Sequence, residues 1–294
     1  MADHKQHGRI SHVGQLIGEA FENAVITFVR SHLKKNHPAF ILLKPEEGKK
    51  LLTLTMPGGI KRQLDTVVAP IDSDDPVALL ETKWLKDGCH WSDKGAWILQ
   101  LREVRKNYPT VRGAAAILAG YWKEGVRVLL RNEGGGIEMI LVATDEEVYN
   151  SIQPHLDKAL GENTFKLDAR QIRGRFPERY VDMFDDFLIG LKETGELNKL
   201  ARQWLKFPRV DTNGNVTNGQ DLIRKALDHL LQPLPLNPRI NTFEITLEVE
   251  TGNLIYRKFK DLEELLDFIN KDVTDPAKIL EEISPKPTKR RIGE

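Results

Sequence analysis

Cysteine is almost missing from this chain: Cys89 is the only one in 294 residues. A single thiol excludes an internal disulfide and a cysteine-rich zinc centre, and it suits a reducing cytoplasm. Long apolar runs are missing too. No stretch approaches the roughly 18 residues that a membrane span needs, and the opening MADHKQHGRISH lacks the apolar core of a secretory signal. A charge imbalance is also absent, because 43 basic residues cancel 43 acidic ones. Net charge therefore points to no polyanionic partner. What is present is 40 % hydrophobic and 29 % charged residues. That composition predicts a soluble, cytoplasmic globular protein without a membrane partner, large enough for one big domain or two ordinary ones.

Charge is unevenly spread despite the neutral total. Between Glu81 and Arg131 there are ten Lys and Arg against five Asp and Glu, a local excess of +5. Such a stretch can attract phosphates, although a solvated surface reads the same way.

Periodicity divides the chain into elements. Val13, Leu16, Ile17, Ala20, Phe21, Ala24, Val25 and Phe28 recur at helical spacing, predicting an amphipathic helix over 12–34 that ends at Asn36-His37-Pro38. Strands are predicted at 39–43, 51–56, 61–70 and 77–85, with turn chemistry between them. A helix over 92–107 has Ser92 as its N-cap and stops at Tyr108-Pro109. Residues 111–122 read as strand or helix, with the flanking glycines and short length favouring a strand, and extended pieces follow at 126–131 and 137–143. Thr144 and Glu147 form a capping box for a helix to about Leu160. Beyond that lie helical residues 178–206, a polar Asn/Gly-rich loop over 208–220, a helix over 219–232, a hairpin over 242–258 and a short helix. The composition shift near 160 predicts an α/β domain over 1–160, an α+β portion over 161–284 and a disordered tail over 285–294.

One stretch resists the bland reading. LLETKW places Glu81 and Lys83 inside an apolar strand. They are either an ion pair at a strand end or part of a site. If 61–70 and 77–85 form an antiparallel hairpin centred on Ser73, Asp65 lies directly opposite Glu81. Period two puts Lys83 on the same face, and a slip of one residue would break the cluster. Two facing carboxylates repel unless a cation sits between them, and carboxylate oxygens suit Mg²⁺ or Mn²⁺. A metal there acidifies a water and binds a phosphate, while a lysine stabilises developing negative charge.

Asp65, then fifteen residues, then Glu81-Thr82-Lys83 resembles the signature of the PD-(D/E)xK nuclease superfamily. Leu64 stands where that family has proline. Gly18-Glu19-Ala20-Phe21-Glu22 is similar to the glutamate-bearing first helix of the family. On the helical wheel Glu22 borders the apolar stripe, whereas Glu19 points to solvent. The resemblance spans about residues 12–150. It implies an α/β restriction-endonuclease-like core, a mixed central sheet flanked by helices. It also implies Mg²⁺-dependent cleavage of DNA, with Mn²⁺ able to substitute. Asp65, Glu81 and Glu22 would hold metal with the Thr82 carbonyl, and Lys83 would position the attacking water. No small-molecule cofactor is implied, and duplex cleavage by two sites implies a homodimer. A type II restriction-type enzyme is the first reading. A structure-specific repair or recombination nuclease is the second, and a non-catalytic DNA-binding or interaction module on the same fold is the third.

Weaker candidates surround this core. Lys94, Gln100, Arg102 and Arg105 on the following helix can meet DNA phosphates or line the site, or simply form a solvated face. Trp84, Trp91 and Trp97 read as core packing rather than base-stacking platforms. Cys89-His90 supplies too few ligands for a metal centre. The spacing in 213–218 does not match a calcium loop, and Gly134–Gly136 read as a turn.

Overall fold

The structure is a computed structural model that describes residues 2–43, 52–86, 91–125, 128, 137–161, 165–174, 178–211, 213–232, 243–248 and 254–270. Two compact units divide the chain, 1–232 and 233–294. In the first, α1 (Ala2–Asn36) buries Val13, Leu16, Ile17, Ala20, Phe21, Ala24, Val25, Val29 and Leu33 along one stripe. This is the apolar face that spacing predicted, on a helix that starts ten residues earlier than 12. Phe28 sits at the margin of the stripe, half-buried.

A five-stranded mixed sheet forms the centre, in the order β1 (Phe40–Leu42), β4 (Thr66–Pro70), β5 (Ala78–Leu85), β6 (Gly113–Gly120), β7 (Ile137–Ala143). The β1–β4 and β4–β5 pairs are antiparallel, and β5–β6–β7 run parallel. Helix α2 (Trp91–Asn107) makes the crossover from β5 to β6. Alternation sends Ala78 and Leu80 to the α1 side and Leu79 and Leu85 to the α2 side. Both faces are covered, which is why β6 reads as an unbroken apolar run, GAAAILAG.

The β4–β5 register is Thr66↔Leu80, Val67↔Leu79 and Val68↔Ala78, the pairing that a turn centred on Ser73 demands. The predicted strand over 61–70 is not continuous, however. It breaks at Asp65 into β3 (Lys61–Leu64), which pairs with β2 (Leu52–Thr55), and β4. The bend resets the side-chain alternation, so Leu64 and Val67 share one core cluster despite their odd spacing. Two smaller expectations also shift. Helix α2 begins at Trp91, so Ser92 lies within its first turn rather than at its N-cap. Val128 is helical, and the rest of 126–131 lies outside the described residues.

Thr144 caps α3 (Asp145–Leu160), with the capping box to Glu147 formed in both directions. The expected boundary at 160 falls inside the first unit. Val181, Phe184 and Leu188 of α5 (Glu178–Glu193) and Leu197, Leu200 and Trp204 of α6 (Glu196–Trp204) join the cluster that α1 builds. A short helix, α4 (Ala169–Gly174), precedes them. His12 bonds Asp185 at 2.8 Å, tying α1 to α5. The polar loop over 208–220 contains a small hairpin, β8 (Pro208–Val210) with β9 (Val216–Asn218), leading into α7 (Gly219–Leu231). The second unit is described over a hairpin, β10 (Phe243–Glu248) with β11 (Leu254–Phe259), and α8 (Leu262–Phe268), packed through Phe268, Ile245, Leu247 and Phe259. Residues 271–294 lie outside the described residues. No helix among the described residues is long and apolar enough to cross a membrane.

The end of β6 locks the end of β5. Gly120 has φ of +94°, and a Cβ there would stand 2.1 Å from the Leu85 carbonyl oxygen. That oxygen accepts a bond from Tyr121 N–H at 2.8 Å. Only glycine combines this backbone with this approach. We expect Gly120→Ala to lower unfolding free energy by about 3 kcal/mol, from strain and overpacking together. Urea denaturation checks this, and a loss below about 1 kcal/mol contradicts it.

Candidate functional site

Strand β5 outruns its neighbour. β4 pairs with it only as far as Leu80, and the chain then bends away at Asp65. The next amide of β5 on that side therefore lacks a backbone acceptor. The Asp65 carboxylate takes it: Thr82 N–H donates to Asp65 Oδ2 at 2.9 Å. A side chain thus completes a ladder where the backbone has turned off. This bond also holds Asp65 against the face of β5 that carries Glu81 and Lys83.

Lys83 Nζ reaches Asp65 Oδ2 at 2.9 Å and Glu81 Oε1 at 2.7 Å. Glu81 is 1 % exposed and Thr82 5 %. Buried charges this close need balance, and here two carboxylates share one ammonium. Glu22 joins from α1, near enough that Asp65, Lys83 and Glu81 all act on it. Its carboxyl is pushed from 4.5 to about 7, first by burial and next by the Asp65 charge. Glu19, on the solvent side of α1, instead pairs with Lys192 at 2.7 Å. The Glu81 carboxyl also rises, because burial and Asp65 outweigh the pull of Lys83 and Arg62. Burial opposes the charge on Lys83, yet Glu81 and Asp65 more than offset it and raise its pKa.

Arg62 is the member that sequence reasoning missed. Its Nη2 donates to Glu81 Oε1 at 2.9 Å and lies 3.4 Å from the Trp97 carbonyl oxygen. Its guanidinium stands 5.6 Å from the Trp97 ring centroid. Unbroken alternation along 61–70 places Arg62 on the face opposite Asp65. The bend at Asp65 reverses that phase and brings Arg62 in. The available signal was the pattern KRQL followed by Asp: an arginine in step with Leu64, just before a residue with strong turn preference.

The helix candidates separate. Lys94 belongs with the cluster: burial and Lys83 lower its pKa, while Asp65 and Glu81 act against that. Its Nζ lies 4.4 Å from the Trp97 ring centroid. Arg102 and Arg105 are eight and eleven residues further along α2, a rise of about 12 and 16 Å from Lys94. Arg105 donates to the Arg112 carbonyl at 3.3 Å, at the start of β6. Gln100 is half-buried on the same helix. Trp97 is not core packing, being 42 % exposed, whereas Trp84 packs against the α1 cluster. Cys89, His90 and Gly134–Gly136 lie outside the described residues, as does the Trp91 side chain.

One oxygen marks what the cluster can still accept: Glu81 Oε2 is buried without a hydrogen-bond partner. Both contacts to Asp65 fall on Oδ2, leaving Oδ1 outside them. A buried carboxylate oxygen without a donor is costly in isolation, and a hard divalent cation satisfies it. Carboxylate oxygens from Asp65, Glu81 and Glu22 form a donor set suited to Mg²⁺ or Mn²⁺. Comparisons with family models, curated proteins and solved structures give no significant match for the chain.

The raised Glu22 carboxyl has a thermodynamic signature. Folded Glu22 keeps its proton up to about 7, whereas its ordinary value is 4.5. The folded state then holds more protons across that window, so stability falls as pH rises through it. We expect Glu22→Gln to flatten this fall between about pH 5 and pH 7 in urea unfolding without added metal. Equal slopes for both proteins would contradict the assignment.

Proposed function

We propose that the chain is a metal-dependent DNA endonuclease of the PD-(D/E)xK kind, with a restriction-type enzyme as the leading form. The observation that carries this reading is Glu81 Oε2, buried and unpartnered beside Asp65 and Lys83. The sheet order and the preceding glutamate helix also support a restriction-endonuclease-like core. Asp65 and Glu81 would hold Mg²⁺ or Mn²⁺, with the Thr82 carbonyl and Glu22 completing the set. A divalent ion so bound supplies Lewis-acid polarisation of the scissile phosphate and acidifies a water.

The chain's own residues do the rest. Lys83, held between Asp65 and Glu81, would position the attacking water by donating a hydrogen bond to its oxygen and would stabilise the negative charge developing on the phosphate. Glu22, whose carboxyl is raised to about 7, would give its proton up to solvent if a divalent charge joined the cluster. Lys94, beside exposed Trp97, offers a cation to the DNA backbone next to the scissile bond. A second copy of the chain provides the second cut on duplex DNA.

One observation favours a second reading, a non-catalytic module on the same fold. Arg62 and Lys83 together place two cations on a single Glu81 oxygen, a network that is already close to neutral. Cleavage assays with plasmid and branched DNA decide between them. We expect Mg²⁺-dependent cleavage by the wild type, lowered about 10²–10³-fold in Lys83→Ala. Asp65→Asn, which keeps an acceptor for Thr82 N–H, should lose activity at least as far. Fixed plasmid fragments support the restriction-type form, and preference for branched DNA supports a repair nuclease. Absence of cleavage with both Mg²⁺ and Mn²⁺, or full activity in both variants, contradicts the proposal.

A further inference from the structure

A second cluster lies away from the carboxylates, where the end of α1 meets α7. His32 Nε2 and His37 Nε2 converge on the same oxygen, Asp228 Oδ1, at 2.9 and 2.6 Å. The three ligand atoms lie within 4.8 Å of one another. We propose that His32, His37 and Asp228 bind a divalent transition-metal ion of the zinc class, fastening the end of α1 to α7. This inference is independent of the nuclease reading, because it uses none of that site's residues.

The residue types select the ion. Two imidazole nitrogens and one carboxylate suit zinc, cobalt or nickel, whereas Mg²⁺ and Ca²⁺ favour sites made only of oxygens. Zinc bonds of about 2.0–2.2 Å place tetrahedral ligand atoms roughly 3.3 Å apart. The present separations to Asp228 are shorter than that by less than 1 Å, a change that side-chain rotation supplies. Three protein ligands leave a fourth position for water.

The surroundings hold the ligands in place. His37 sits just past α1, its N–H bonded to the Leu33 carbonyl at 2.8 Å, and its own carbonyl accepts Phe40 N–H at 2.9 Å. The His32 ring is 5 % exposed and stacks on Phe28 with the planes 12° apart. The Asn36 side-chain amide lies 2.9 Å from His32 Nδ1. The same amide nitrogen donates to the His32 carbonyl at 3.2 Å, which fixes the Asn36 side chain beside the ring. Asp228 is half exposed, which gives an ion a way in. The nearby cations are committed elsewhere: Arg224, one turn before Asp228, pairs with Asp221, and Lys225 with Asp211 at 3.2 Å. Asp228 is left to the two imidazoles.

The test titrates chelator-treated full-length protein with Zn²⁺ by calorimetry, and with Co²⁺ by visible absorption. Excess Mg²⁺ is present throughout to occupy the oxygen-only cluster. We expect one Zn²⁺ per chain and a thermal midpoint raised by the ion. Asp228→Asn and His37→Ala change exposed or half-buried positions, so folding is retained. Each should weaken Zn²⁺ binding by at least about tenfold and abolish the thermal shift. Asp65→Ala should leave Zn²⁺ binding unchanged, even if it abolishes cleavage. Absence of Zn²⁺ binding in the wild type overturns the proposal, as does equal affinity in Asp228→Asn and His37→Ala. Either result would leave a hydrogen-bonded His–Asp–His network as the whole role of the cluster.

Discussion

Three carboxylates crowd one buried patch of β5. Glu22, Asp65 and Glu81 face two cations there, Lys83 and Arg62. Like charges in a poorly hydrated pocket cannot all remain ionised unless positive charge is added. The molecule meets this constraint in the metal-free state by keeping a proton on Glu22 to about 7. A divalent ion, as proposed above, would meet it differently, by replacing that proton and reaching the Glu81 oxygen that no donor satisfies. Charge balance therefore ties the protonation of Glu22 to the charges on Asp65, Glu81 and Lys83.

The fold keeps the carboxylates from separating. Parallel pairing with β6 fixes β5 along all eight residues, from Ala78↔Gly113 to Leu85↔Gly120. The early departure of β4 leaves the Thr82 amide open to Asp65. Helix α1 packs across β5, with Gly18 against the Trp84 side chain. One turn later the same helix delivers Glu22. Each carboxylate thus comes from a different element, and each element is held by core contacts outside the site.

Much of this was legible in the sequence because it follows from period two and turn position. The β4–β5 register needed only the two apolar runs and the IDSDDP turn, and Thr66↔Leu80 has it, although Asp65 itself lies one step beyond the ladder, at the bend. The capping box at Thr144 was likewise local chemistry. Arg62 was not legible, because its place depends on a bend that alternation alone does not announce. The extent of the first unit was hidden for another reason. Helices α5 to α7 are amphipathic by themselves, and nothing in their spacing states that their partner is α1. The His32–His37–Asp228 cluster joins residues 191 and 196 positions apart, a separation that no local pattern can bridge.

The proposed site of Glu22, Asp65 and Glu81 would hold a divalent ion at the unpartnered Glu81 oxygen. Crystals soaked in Mn²⁺ and measured for anomalous scattering test this most directly. An ion held there gives an anomalous peak within coordinating distance, about 2.0–2.3 Å, of Glu81 Oε2 and an Asp65 oxygen. Lys83 should then be displaced from at least one carboxylate. A fully soaked crystal with no peak there, and with Lys83 still bridging Asp65 and Glu81, would contradict it.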